Sequence, residues 1–136
     1  MVKTKVFLLC LVVIVTLFSM IICMELYALE RSVARGIYTD VLDEMQDIGY
    51  LHNGLAEYYT SEMESLGWEA EKGDFFTGSS PRYESGRARK ERNEMVSLTM
   101  TIRPSRLSQW IHYVIEGETD FHFAGSRPSE YFDPGW

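Results

Sequence analysis

Apolar and polar positions divide this chain sharply. From Val6 to Met24 (VFLLCLVVIVTLFSMIICM) no charged side chain interrupts 19 residues. An α-helix needs about 20 predominantly apolar residues to cross a ~30 Å hydrocarbon core. From Leu26 the pattern becomes periodic. Leu26, Leu29, Val33, Ile37, Val41, Met45 and Ile48 follow one another at three or four residues, and Glu30, Arg31, Arg35, Asp40, Asp43, Glu44 and Asp47 occupy the other faces. These patterns predict one helix from about Lys5 to Ile48, apolar all round in its first half and amphipathic in its second. Gly36 interrupts the stripe at a cost of roughly 1 kcal/mol relative to alanine and is a candidate bend. Gly49 supplies the stop.

A second helix is predicted over about Gly54 to Leu66, capped by His52-Asn53 and stopped by Gly67, with Leu55, Tyr59, Met63 and Leu66 as its stripe. Folded back, it would cover the stripe of the first. Beyond Gly67 the period changes to two. Val96, Leu98, Met100 and Ile102 alternate with Ser97, Thr99 and Thr101, which predicts a half-buried strand over Met95 to Ile102. Thr119 to Phe123 alternates more briefly, and Trp68 to Phe76 is a weaker strand candidate. Ser105 to Ile115 reads either as a short helix or as a bent strand. The polar stretch Thr77 to Asn93 reads as a long mobile hairpin connection, and Pro128 to Trp136 as an irregular tail. The fold class expected is α+β: a long N-terminal helix, a second short helix and a small antiparallel sheet of two to four strands.

The apolar run decides the domain organisation. A cleaved secretory signal has a shorter apolar core of about 7–15 residues and ends in a small-x-small site, and Ile22-Cys23-Met24-Glu25 provides no such site. A permanent signal anchor and a pilin-type helix, resident in the membrane before packing into a filament core, share the same physics. Lys3 and Lys5 favour a cytoplasmic N-terminus. The expected division is therefore residues 1–24 as a transmembrane or filament-core helix and 25–136 as an extracytoplasmic α+β domain.

Charge and cysteine content narrow the partners. All 20 acidic residues lie beyond Met24, against 11 of the 13 basic ones, a balance of −9 in the outer part. Nucleic-acid binders carry a basic face instead, so no nucleic-acid partner is expected. Cys10 and Cys23 both lie in the apolar run, about 20 Å apart along a helix, and the outer part has no cysteine with which to build a disulfide scaffold or a thiolate metal site. His52, His112 and His122 show no ligand spacing, and the nucleophile-elbow, zinc-protease and phosphate-loop motifs are missing. Neither a catalytic set nor a cofactor is expected.

Two features suggest contacts between subunits. The basic run Arg82, Arg87, Arg89, Lys90 and Arg92 complements the acidic helix face of Asp40, Asp43, Glu44 and Asp47, and head-to-tail contacts of that kind generate open helical filaments. Tyr50, Tyr58, Tyr59, Tyr83, Tyr113 and Tyr131, with Trp68, Trp110 and Trp136, exceed the needs of one small core, and such residues are enriched at interfaces.

This layout of a short basic N-terminus, an apolar helix continuing as an amphipathic one, a second helix ending at Leu66-Gly67-Trp68, and a closing aromatic strand followed by Ser129-Glu130-Tyr131 resembles the pilin-like superfamily. It most resembles TadE-like minor pilins and related single-span proteins of Gram-positive conjugative elements. The resemblance implies a structural subunit of a type IV or Tad-like filament at the cell surface, polymerised from copies of itself by a pilus assembly machinery and resident in the membrane beforehand. Leu8, Leu9, Leu11, Val12, Ile14, Leu17, Ile21 and Ile22 would then form the assembly core. Two departures stand out: no glycine or alanine precedes Ala28 to mark a leader site, and Lys5 stands where a processed pilin carries glutamate. Lys3 and Lys5 in a filament core would need carboxylate partners, with Glu25 and Glu30 of a neighbouring helix as candidates. The alternative is a single-pass membrane accessory protein of a secretion or conjugation machine.

Overall fold

The computed structural model of the chain describes residues 2–70, 73–83 and 86–131, without the side chain of Glu91. Helix α1 runs unbroken from Val2 to Ile48 and passes through Gly36. Gly49 ends it with φ +91°, and a Cβ there would collide with the carbonyl oxygen of Ala88. Helix α2 spans Asn53–Ser65 and is capped by His52, whose Nδ1 accepts from the Gly54 N–H at 3.0 Å. Strand β1 (Met95–Ile102), helix α3 (Arg106–Glu116) and strand β2 (Phe121–Pro128) follow. The α+β class holds, with a two-stranded antiparallel sheet.

The sheet lies lengthwise along α1. Phe121 packs edge-on against Tyr27, Phe123 stacks on Tyr38 at 5.6 Å between ring centres, and Arg127 pairs with Asp43. From Phe121 to Arg127 a strand rises about 20 Å, and from Tyr27 to Asp43 a helix rises about 24 Å. The two elements therefore run side by side in the same direction. Pairing of Ile102 with Phe121 and of Met95 with Pro128 fixes the register of β1. Val96, Leu98, Met100 and Ile102 are fully buried, as strict alternation requires of the inward face. Gly125, opposite Leu98, leaves room for the ring of Tyr38, whose hydroxyl a Cβ there would strike.

Helix α2 folds back beside α1, with Ala56 and Met63 buried. Its chain continues to Trp68, which reaches Glu30. The described residues of the weaker strand candidate at Trp68 to Phe76 form no strand. Glu69 forms an isolated bridge with Arg103, Phe75 O accepts from Thr101 N–H at 3.0 Å, and Ser80 bridges to Ser97. These contacts cover the outer edge of β1 irregularly, which satisfies an edge that would otherwise be open to pairing. Ser105 to Ile115 resolves as the helix.

Two expectations need correction. The connection from Thr77 to Asn93 is pinned to the domain at several points. Ser79 is buried and its hydroxyl joins Thr99 through N–H and carbonyl bonds of 3.0 and 3.1 Å, while Ala88 is buried and donates its N–H to Gly49 O at 2.8 Å. The stripe counted from Leu26 is buried only in its second half, at Val41 and Met45 with Ile37 packed against the core, and its first half is displaced. The domain packs on Tyr27, Ala34, Val41, Leu42 and Met45, and leaves Leu26, Leu29 and Val33 exposed. A shift of one position turns a helix by about 100°, so the two stripes face different directions over the first turns. β2 continues to Pro128, and the tail from residue 132, Trp136 included, lies outside the described residues.

Candidate functional site

The first half of α1 is not buried by the rest of the described chain. Every described residue from Val2 to Ile22 is exposed, including all eight expected assembly residues: Leu8, Leu9, Leu11, Val12, Ile14, Leu17, Ile21 and Ile22. The helix is long and apolar enough to cross a membrane. Its two hydroxyls are already satisfied, Thr16 Oγ1 donating to Val12 O and Ser19 Oγ to Val15 O, each at 2.8 Å. No buried water is needed to place them in lipid. Cys10 is exposed and Cys23 half-buried, both as free thiols.

The domain closes around α1 immediately above this run. Cys23 packs against the core cluster, and Tyr27 and Ala34 belong to it. Glu30 is the polar centre of the collar. Its Oε1 accepts from the Trp68 indole N–H at 2.7 Å and from the Ser105 backbone N–H at 2.8 Å. Its Oε2 accepts from the Ser105 hydroxyl at 2.8 Å and, in a still shorter bond, from the Ser108 hydroxyl. One carboxylate thus ties α1 to the end of the α2 segment and to the first turn of α3. Burial pushes the Glu30 carboxyl up, but the four hydrogen bonds outweigh it and hold the group below the usual carboxylate range. Glu30, a candidate partner for a lysine of a neighbouring helix, has its carboxylate engaged within the chain.

Beside Glu30, the Tyr27 hydroxyl and His112 Nδ1 share a buried hydrogen bond of 2.7 Å, and Phe121 meets both rings edge-on. His112 therefore belongs to the packing of α3 on α1. His122 is exposed, 3.3 Å from Thr101 Oγ1 and 3.6 Å from Glu118. His52 caps α2. Among the described residues no three His, Cys, Asp or Glu side chains converge on a metal-sized site.

The expected inter-subunit charges divide into two groups. Several are engaged inside the chain. Arg82 binds Asp74 at 2.6 Å, Asp43 pairs with Arg127, and Arg92 lies 3.8 Å from Glu94. Arg87 sits over the rings of Tyr50 and Tyr131, at 4.9 and 4.2 Å from their centres, a cation–π clamp that closes the end of the domain far from the apolar run. Burial raises the Asp74 carboxyl, while the Arg82 guanidinium and the Phe76 N–H outweigh that and hold it below its ordinary range. Arg89 is half-buried. Lys3, Lys5, Glu25, Asp40, Glu44, Asp47 and Lys90 are exposed, with Glu44 3.5 Å from the Tyr59 hydroxyl.

The Glu30 hub escaped the sequence reading, because it joins residues 38 to 78 positions apart, which no local pattern signals. The outward face of α3 was foreseen only in part, through Trp110 and Tyr113 among the aromatics expected at interfaces. Trp110 is 66% exposed, Tyr113 58% and Val114 65%, and their positions four, seven and eight residues after Arg106 were a readable helical signal. Compared with known proteins, the chain matches no family model, no curated protein and no solved structure.

Proposed function

We propose that this chain is a structural subunit of an extracellular pilus-like filament. It would be held in the membrane by α1 before assembly and polymerised through the same helix afterwards. One observation carries the reading: the 21 residues from Val2 to Ile22 are helical and exposed on every side, yet the helix continues without a break into the spine of the outer domain. Such a surface must be covered by lipid or by copies of itself. Covering it stabilises the assembled state by about 25 cal/mol for each Å² of apolar area removed from water. Because α1 is one rod, packing its lower half also fixes where the domain sits on the filament surface. In this reading Leu8, Leu9, Leu11, Val12, Ile14, Leu17, Ile21 and Ile22 form the filament core. The exposed groove beside Leu26, Leu29, Val33, Leu66 and Leu107 receives part of a neighbouring subunit.

A second reading, a single-pass accessory protein of a secretion or conjugation machine, is favoured by Lys3 and Lys5, which suit the cytoplasmic edge of a bilayer better than a filament core. Val12→Asp separates the two. In a filament subunit it abolishes sheared filaments while the outer domain keeps its fold. Filaments that persist with Val12→Asp, or a chain that stays in the membrane pellet when intact cells are sheared, overturn the filament reading.

A further inference from the structure

The membrane-proximal end of the domain is closed by α3, and the geometry points to α3 as an interfacial helix. Its exposed aromatic face rests in the headgroup layer of the phospholipid bilayer that α1 crosses. The inference requires only that α1 occupies a bilayer, which both readings of the function share.

Depth is the first argument. The uncharged run ends at Met24, and the domain already packs on Cys23 within it. The α1 partners of α3 are Tyr27, Glu30 and Arg31, which meet His112, Ser105 with Ser108, and Glu116 respectively. From Met24 to Arg31 the helix rises only about 10 Å. The headgroup region adds about 5–8 Å to each side of the hydrocarbon core. The attachment points of α3 therefore fall within or just above that region.

Orientation is the second. Tyr27 to Arg31 spans about 6 Å of the α1 axis, whereas Ser105 to Glu116 extends about 16 Å. A helix whose whole length is anchored to so short a stretch of α1 lies across it, close to the plane of the membrane when α1 stands in it.

Chemistry is the third. Ser108, Ile111 and His112 turn inward. The outward face carries Arg106, Trp110, Tyr113 and Val114, all exposed. Large apolar groups gathered on one solvent face mark an interaction surface. Tryptophan and tyrosine concentrate at the level of the headgroups, where an apolar ring and a polar edge are both accommodated, and an amphipathic helix lies there with its apolar face buried. Arg106 at the start of the face is placed to meet lipid phosphate. The one carboxylate of α3, Glu116, is drawn toward Arg31 at 3.9 Å. Attached at two places, by α1 and by α3, the domain has a set height and tilt on the membrane, and withdrawing the subunit from lipid requires both contacts to be released.

The test uses the full chain in phosphatidylcholine vesicles, with lipids brominated near the headgroup end of the acyl chain as quenchers of tryptophan fluorescence. Trp110→Phe, a change at an exposed position, identifies the contribution of Trp110. The expected result is that the lipid-quenched component of the emission is lost in Trp110→Phe, while resistance to alkaline carbonate extraction and the circular dichroism spectrum are unchanged. Equal lipid quenching of both chains overturns the inference. So does a Trp110 component quenched only by aqueous iodide, or one shielded from both quenchers with Tyr113→Cys cross-linking to a second copy. A chain that carbonate removes overturns the membrane placement of α1 itself. None of these outcomes depends on filaments, so failure here and failure of the filament reading are distinguishable.

Discussion

Trp68 and Glu30, 38 residues apart, meet through a 2.7 Å hydrogen bond from the indole N–H to Oε1, and that bond closes the outer domain around the long helix. Trp68 is almost fully buried, so its N–H has no access to water should the carboxylate be lost. Glu30→Ala is therefore expected to destabilise the domain by about 2 kcal/mol, because it leaves the indole N–H and three donor groups of Ser105 and Ser108 without their acceptor. Chemical denaturation in detergent, followed by circular dichroism, checks this. Trp68→Phe in the Glu30→Ala background should cost less than the same change in the parent chain, as coupled partners require.

Acid should weaken both the Glu30 junction and the Asp74–Arg82 pair. The carboxyl groups of Glu30 and Asp74 both sit below their ordinary values of 4.5 and 3.8 in the folded chain. A lowered folded-state value means that the stabilisation is fully present above the unfolded value and is lost as pH falls through the folded one. The melting temperature is expected to be flat in this respect above roughly pH 5 and to decline below it. A Glu30→Gln/Asp74→Asn chain should show a shallower acid decline, measured by thermal melts across pH 3 to 7.

The two stripes on α1 make opposite predictions. Ala34 is fully buried where the domain packs on the helix, so Ala34→Leu should cost about 1–3 kcal/mol by overpacking. Leu29 is exposed, and Leu29→Ala should change the stability of the isolated chain by less than about 0.5 kcal/mol. Thermal unfolding of both variants in detergent provides the comparison.

Surface ion pairs should matter little. Arg127 and Asp43 are in contact, but their side chains are 41% and 56% exposed, and such pairs contribute roughly 0–1 kcal/mol. Asp43→Ala is expected to shift stability by less than about 1 kcal/mol, with the residual effect vanishing in high salt. Urea titrations at low and high salt measure it.

The chain's own pattern determined the elements whose physics is local. Alternation gave β1 its full span from Met95 to Ile102, because a strand with one buried face must repeat every two residues. The uninterrupted apolar run and the glycine at position 49 set the extent of α1, because a helix lacking proline or a cap signal continues until the backbone needs a positive φ. Capping at His52 and the turn after Ser65 were legible for the same reason. Only the tertiary structure decided which stripe of α1 is buried. Leu26, Leu29 and Val33 are the more apolar residues of the first turns, but packing selected Tyr27 and Ala34 there, and the two stripes merge at Val41 and Met45. A small residue at Ala34 lets other elements approach the helix closely, and Tyr27 finds a buried partner in His112. Only the tertiary structure made Glu30 a hub, since its donors come from Trp68, Ser105 and Ser108. It also placed the aromatic face of α3 a turn or two above the apolar run. Periodicity reports which side chains share a face, but which faces meet depends on shape, reach and hydrogen bonding between distant parts of the chain.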